Sequence, residues 1–330
     1  MLVEATRGDM VESFHRGAAV VVDTNGREIA AFGDIERLIY PRSAIKPLQA
    51  IVLVESGALE HFGLGATEIA LACASHSGEA IHTEGVRRWL NHLNLDETVL
   101  ECGTHYPTHR NTRISLTREG INATPAHNNC SGKHAGFITV ACHHGNPVAG
   151  YIEREHPVQQ RVLDVLERVT EETVTIAPAG LDGCGIPVVG MSLKGIARAF
   201  AALGGKRFSS ARRSEAADRI CQAMAKYPEI VGGTGRLCTA VPLATKRRVL
   251  VKVGAEGVYT GLAMGSNPIG FALKIDDGSR RAAEVALAWL IAKFCGLTTA
   301  ELDQMQPWLQ PEVRTVANRA AGIVRPSVDL

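Results

Sequence analysis

The chain has 330 residues, 45% hydrophobic and 21% charged, with 35 Lys and Arg against 34 Asp and Glu for a formal net charge of +1. At roughly 150 residues per domain, the length suits one large domain or two small ones and can bury a core without disulfides. Near-neutral charge with no block of one sign excludes a nucleic-acid or membrane-surface footprint, and the composition excludes collagen-like, disordered and coiled-coil classes.

The opening MLVEATRGDM lacks the basic stretch and apolar core of a secretory signal, and no apolar run approaches the roughly 18 residues that span a bilayer. The eight cysteines are scattered through a chain too large to need a disulfide framework. They read as reduced thiols of a cytoplasmic protein.

Residues 17–33 read as a β-hairpin, two small or β-branched runs around Asp23-Thr24-Asn25-Gly26, whose Asn-Gly suits a tight turn. Residues 43–57 read as a helix with Ser43 as N-cap, because Pro47 is tolerated only in a first turn. Further helices are predicted at 83–93, 133–144, 157–170, 193–203, 210–225 and 281–294. Residues 248–253, 257–262 and 269–275 are β-branched runs separated by Gly-containing turns and read as an antiparallel meander. Strands at both ends with helices between predict an α+β fold, a three-layer α/β/α arrangement. Its antiparallel sheet is built from the N-terminal hairpin and the C-terminal meander, with helices packed on it. The chain reads as a single domain over residues 1–330 with a helical subregion at roughly 43–235, and residues 145–155 give only a weak boundary signal.

Familiar nucleotide and metalloprotease signatures are absent. Gly132-Lys133 lacks the upstream glycine and following hydroxyl residue of a phosphate loop, Gly63-Leu64-Gly65 meets Glu68 where a third glycine belongs, and no His-Glu-x-x-His occurs. Reactive side chains concentrate instead in four segments: 41–46, 73–79, 128–134 and 182–187. Ser43-x-x-Lys46 puts a hydroxyl and an amine on one side of a first helical turn, where a neutral lysine acts as base toward the serine; the bland alternative is an N-cap beside a solvated lysine. Lys252-Val253-Gly254 on a late strand completes the signature pair of penicillin-binding proteins and class A β-lactamases, with Val253 in place of the usual hydroxyl residue. In Ser75-His76-Ser77, Ser75 is the reactive candidate and His76 is structural or substrate-lining, since neighbouring residues rarely adopt triad geometry. Cys130-x-x-Lys133 with Cys184 is a candidate metal site, with His105, His109 and His127 as conventional alternative ligands; on spacing alone, inert buried thiols are the simpler reading.

Together these segments resemble the L-asparaginase II family, the rhizobial or class 3 type. The resemblance runs from Tyr40-Pro41-Arg42-Ser43-Ala44-Ile45-Lys46-Pro47 through Ala74-Ser75-His76-Ser77-Gly78-Glu79, Cys102-Gly103-Thr104-His105-Tyr106-Pro107, Asn128-Asn129-Cys130-Ser131-Gly132-Lys133-His134 and Asp182-Gly183-Cys184-Gly185-Ile186-Pro187 to Lys252-Val253-Gly254. It implies a fold similar to serine β-lactamases, penicillin-binding proteins and glutaminases. The activity it implies is hydrolysis of L-asparagine to L-aspartate and ammonia by a homodimer. The site residues it implies are two Ser-Lys pairs, Ser43 with Lys46 and Ser75 with Lys252, and a zinc ion on Cys130, Lys133 and Cys184. Ser43 is the favoured nucleophile, while Arg42, His76 and Asp182 are candidates for binding the substrate's charged groups. Two rivals remain: a penicillin-interactive serine hydrolase of the same fold, and a non-catalytic zinc-stabilised binding protein.

Overall fold

Asp23 closes the predicted hairpin. Its Oδ1 accepts the N–H of Asn25 at 2.8 Å and that of Arg27 at 3.0 Å, while Gly26 turns the chain at φ 77°. This sends Glu28–Phe32 back along Gly17–Asp23. The computed structural model describes residues 1–327, which divide into two compact units. One takes Met1–Ala44, Met191–Gly205 and the chain from Val241 on; the other takes Ile45–Gly190 and Lys206–Ala240.

The first unit carries a five-stranded antiparallel sheet, in the order Glu28–Phe32, Gly17–Asp23, Ile269–Ile275, Val258–Ala263, Val249–Val253. The hairpin and the meander therefore meet as predicted, through seven consecutive pairings from Gly17 opposite Ile275 to Asp23 opposite Ile269. Tyr259 and Leu262 stand three residues apart on one strand and so point to opposite faces. Tyr259 reaches Glu284 of the helix Arg280–Phe294 at 3.1 Å, and Leu262 lies against Gly204 of the helix Leu193–Gly205. Helix, sheet and helix make the three layers of the expected α+β fold. A second sheet, in the order Glu312–Arg314, Ala320–Pro326, Val3–Arg7, Met10–His15, joins the two ends of the chain.

The second unit is mainly helical, and the chain runs through residues 145–155 inside it. Its helix Ser131–His143 is buried from Ser131 to Ala141 on every side, as a helix at the centre of a bundle must be. Around it pack Lys46–Ser56, Ala66–Cys73, Ala80–His92 and Pro157–Thr170. The predicted helix start needs correction. Arg42–Ile45 form a 3-10 turn, the α-helix begins at Lys46, and Ser43 is not its cap. The chain leaves Arg42 in the left-handed region at φ 54°, runs through the tighter 3-10 turn, and only then enters the α-helix with Pro47 in its first turn. Among the described residues no helix is long and apolar enough to cross a membrane.

Two glycines buried under helices separate packing from flexibility. A Cβ on Gly270 would lie 2.1 Å from Ala197 O and 2.3 Å from Ala201 N, backbone atoms that cannot move aside, whereas one on Gly136 would meet ordinary contacts at 3.5 Å and beyond. Gly270→Ala is expected to lose roughly 3 kcal/mol or more in chemical denaturation, and Gly136→Ala to be neutral or slightly stabilising as a helix-interior Gly→Ala change.

Candidate active site

Lys46 opens its helix with no exposed surface, so its ammonium or amine must find partners inside the protein. The helix Ala66–Cys73 ends just short of them, and Ala74 turns extended, aiming its carbonyl inward. Lys46 Nζ lies 2.5 Å from Ala74 O, 3.2 Å from Ser75 Oγ and 3.2 Å from Asn129 O. Within this unit the hydroxyl that Lys46 contacts is that of Ser75, carried by the loop that ends the neighbouring helix.

The loop after Ser75 is held by two neutral imidazoles. Ser131 donates to Ala126 O at 3.0 Å and so accepts from His76 Nε2 at 2.9 Å, while His76 Nδ1 accepts the Gly78 N–H at 3.2 Å. Burial first, then the charges of His82 and Lys46, hold His76 well below the usual imidazole range. His76 has no exposed surface and both its nitrogens are engaged, an arrangement that matches the structural one of its two readings. Glu79 receives the Ser77 hydroxyl at 2.5 Å, the Thr234 N–H at 2.9 Å and the Thr234 hydroxyl at 2.7 Å. Burial alone would raise its pKa, but these hydrogen bonds prevail and hold it at about 2. Gly233 is required beside them, since a Cβ there would fall 2.0 Å from Ser77 Oγ.

In the first unit the turn that carries Ser43 lies on the sheet face that carries Lys252. Lys252 pairs across the sheet with Thr260, so the two side chains share a face. Thr260 Oγ1 donates to Ala44 O at 2.8 Å, and a Cβ on Gly254 would be 2.7 Å from Pro41 O. Lys252 has no exposed surface and donates to Val253 O at 2.9 Å. Arg42, at the head of this turn, holds a left-handed backbone that costs a non-glycine residue of order 1 kcal/mol or more, a strain that collects at functional sites.

Cys130, Lys133 and Cys184 converge in the second unit, each at most 4% exposed. Lys133 Nζ is 2.9 Å from Cys184 Sγ, and the two sulfurs share a hydrogen bond. That bond, chiefly, pushes Cys130 down and Cys184 up, so one proton serves both sulfurs. Burial would lower Lys133, but the two sulfurs and Asp182 outweigh it and hold it protonated. The donor set fits a divalent cation: ammonium, thiolate and thiol carry no net charge, and neither do a divalent cation, two thiolates and a neutral amine. The alternative histidines do not join them. His105 is spent on Tyr106 O and the Asn129 N–H, His109 on Thr112, and His127 on the Thr124 N–H. Among the described residues no group of three His, Cys, Asp or Glu side chains could hold a metal.

Residues given no role in the sequence place these groups. Asn128 ties the turn together, its Nδ2 2.7 Å from Cys102 O and its Oδ1 accepting the Cys130 N–H at 2.9 Å. Thr234 carries no motif and acts through its contact with Glu79.

The profile of the L-asparaginase II family matches residues 3–326. No curated protein matches the chain. Among solved structures, Mglu in its native form is 15% identical with a TM-score of 0.46, over 84% of this chain and 64% of that one. Mglu in its L-glutamate binding form is 14% identical with a TM-score of 0.46, over 86% and 62%. Bacillus glutaminase is 12% identical with a TM-score of 0.41, over 84% and 91%. This chain therefore covers less than two thirds of the Mglu chain.

Glu79 gives the site a pH signature. Its pKa falls from 4.5 in the unfolded chain to about 2 in the fold, so its contribution to stability is complete above about pH 4.5 and is lost as pH falls toward 2. Urea denaturation of Glu79→Gln is expected to show its largest deficit against wild type at pH 7 and a shrinking one between pH 4.5 and 2.

Proposed function

The chain belongs to the L-asparaginase II family, and from that premise we propose that it is an amidohydrolase that converts L-asparagine and water to L-aspartate and ammonia. The observation that carries the reading is the buried contact of Lys46 with Ser75. Ala74 O and Asn129 O can only accept hydrogen bonds, so they claim two N–H groups of Lys46. A neutral amine held this way has its lone pair left for the Ser75 O–H. Lys46 then takes the proton as Ser75 Oγ bonds to the amide carbon and passes it to the departing ammonia. Water attacks the resulting ester and gives its proton to the same amine, which passes it on to the departing Ser75 Oγ, so that aspartate and the free serine are released.

Ser43 and Lys252, the hydroxyl and amine of the first unit, are the second proposed pair, and Ser43 is the alternative nucleophile. Arg42 and Asp182 supply the charges that an α-carboxylate and an α-ammonium require. We assign zinc to Cys130, Lys133 and Cys184, where it would supply an electrophilic anchor for the amino-acid end of the substrate. The working form is proposed to be a cytoplasmic homodimer.

The test is ammonia release. L-asparagine should be hydrolysed with a kcat/KM about a hundredfold above that of L-glutamine, since one methylene displaces the amide carbon from the nucleophile. Lys46→Met and Ser75→Ala should each lower kcat by about 10² to 10⁴ with the circular dichroism of the wild type, and near-normal turnover of Ser75→Ala would transfer the nucleophile to Ser43. Purified protein should contain one zinc per chain by elemental analysis. Cys130→Ser should lose the metal and raise KM more than it lowers kcat.

A further inference from the structure

Away from the catalytic groups, the second unit holds a cavity of about 550 Å³ lined by Val52, Glu55, Arg161, Asp164, Arg212 and Arg213, among others. Three guanidiniums face it against two carboxylates, and both carboxylates are already neutralised. Glu55 is held at both oxygens by Arg213, at 3.0 and 2.9 Å, and Asp164 by Arg168 one helical turn on, at 2.9 Å. Arg161 and Arg212 are in no ion pair among the described residues. Glu60, which Arg212 acts on electrostatically, is bound to Arg219 at 2.6 Å.

Backbone adds to this surplus of donors. Ser210 caps the 16-residue helix Ala211–Lys226 at the cavity wall, its hydroxyl accepting from the Arg213 N–H at 3.4 Å. The positive end of the helix dipole therefore faces the same space as the two unpaired arginines. His144, also in the wall, is pushed below the usual imidazole range by burial and then by Arg161, as expected where positive potential is already high.

We propose that this cavity is a binding site for a small organic dianion, either a phosphate monoester or a dicarboxylate, gripped by Arg161 and Arg212. Guanidinium forks suit both chemistries, Val52 and Val165 give the carbon skeleton an apolar floor, and the volume is that of a metabolite pocket rather than a bare ion site.

Calorimetry on the full chain at constant ionic strength, with inorganic phosphate and succinate as probes and chloride as control, tests the proposal. One saturable site per chain is expected for at least one dianion. The double variant Arg161→Gln/Arg212→Gln should weaken binding at least tenfold, and Arg212→Glu should weaken it further. Neither side chain is in an ion pair among the described residues, so these variants should keep the wild-type melting temperature in the absence of ligand. Binding of phosphate alone would assign a phosphate monoester, and binding of succinate alone a dicarboxylate. The proposal falls if neither dianion binds beyond the chloride control, or if the double variant binds as tightly as wild type.

Discussion

Taking the Lys46 head group out of water costs several kcal/mol unless its hydrogen-bonding capacity is met, and much of the second unit can be read as the means of meeting it. One acceptor exists because the helix Ala66–Cys73 stops before Ala74, and another because the chain turns sharply at Asn129 before the helix Ser131–His143. Asn129 is held from its other side, where its N–H donates to His105 Nε2 at 2.9 Å. Each acceptor is a backbone carbonyl whose position is set by a helix boundary. A shift of either boundary by one residue would leave a buried lysine unmet, which makes the two termini as much a part of the site as the serine.

The same unit buries a second lysine, and its compensation is of another kind. Lys133 meets sulfur rather than carbonyl oxygen, and the two sulfurs beside it raise its pKa against the effect of burial. The two amines are linked, because Lys46 as well as Lys133 lowers the Cys130 pKa. The turn Asn128–Ser131, which carries the carbonyl for Lys46 and the Cys130 sulfur that acts on Lys133, is the piece of chain on which both sites depend.

Elements made by local contacts were legible in the sequence. The hairpin around Asn25-Gly26, the three-stranded meander and the helix at 157–170 appear where periodicity and turn chemistry put them. The second sheet was not legible, because its central pairing sets Val3 against Pro326, across nearly the whole chain, and Met10–His15 is a half-exposed edge with a weak pattern. The helices Leu237–Ala244 and Thr299–Leu309 were missed because Pro242 and Pro307 lie inside them, where proline ordinarily argues against a helix. At the site, residue types were readable and partners were not. Spacing offered Ser43 to Lys46, whereas the contact of Lys46 with Ser75 spans 29 residues and is one that only the tertiary fold creates.

What keeps Ser75 in place is a pair of histidines doing work that carbonyls cannot. His76 and His82 stack with ring centroids 4.8 Å apart and planes 8° from parallel. Each uses Nδ1 as an acceptor for a backbone N–H of the loop, Gly78 and Glu79 respectively, and Nε2 toward a partner on another element, Ser131 and Glu229. Only a neutral imidazole can both accept and donate in this way. Burial is the largest influence on both rings and lowers both pKa values, which secures the neutral form that the loop needs. Asparagine could match the hydrogen bonds but not the stacked planes, and a protonated ring would lose the acceptor and repel its neighbour. The SHSGEAIH segment thus fixes the backbone that follows Ser75 through two uncharged rings, holding the Ser75 hydroxyl against Lys46.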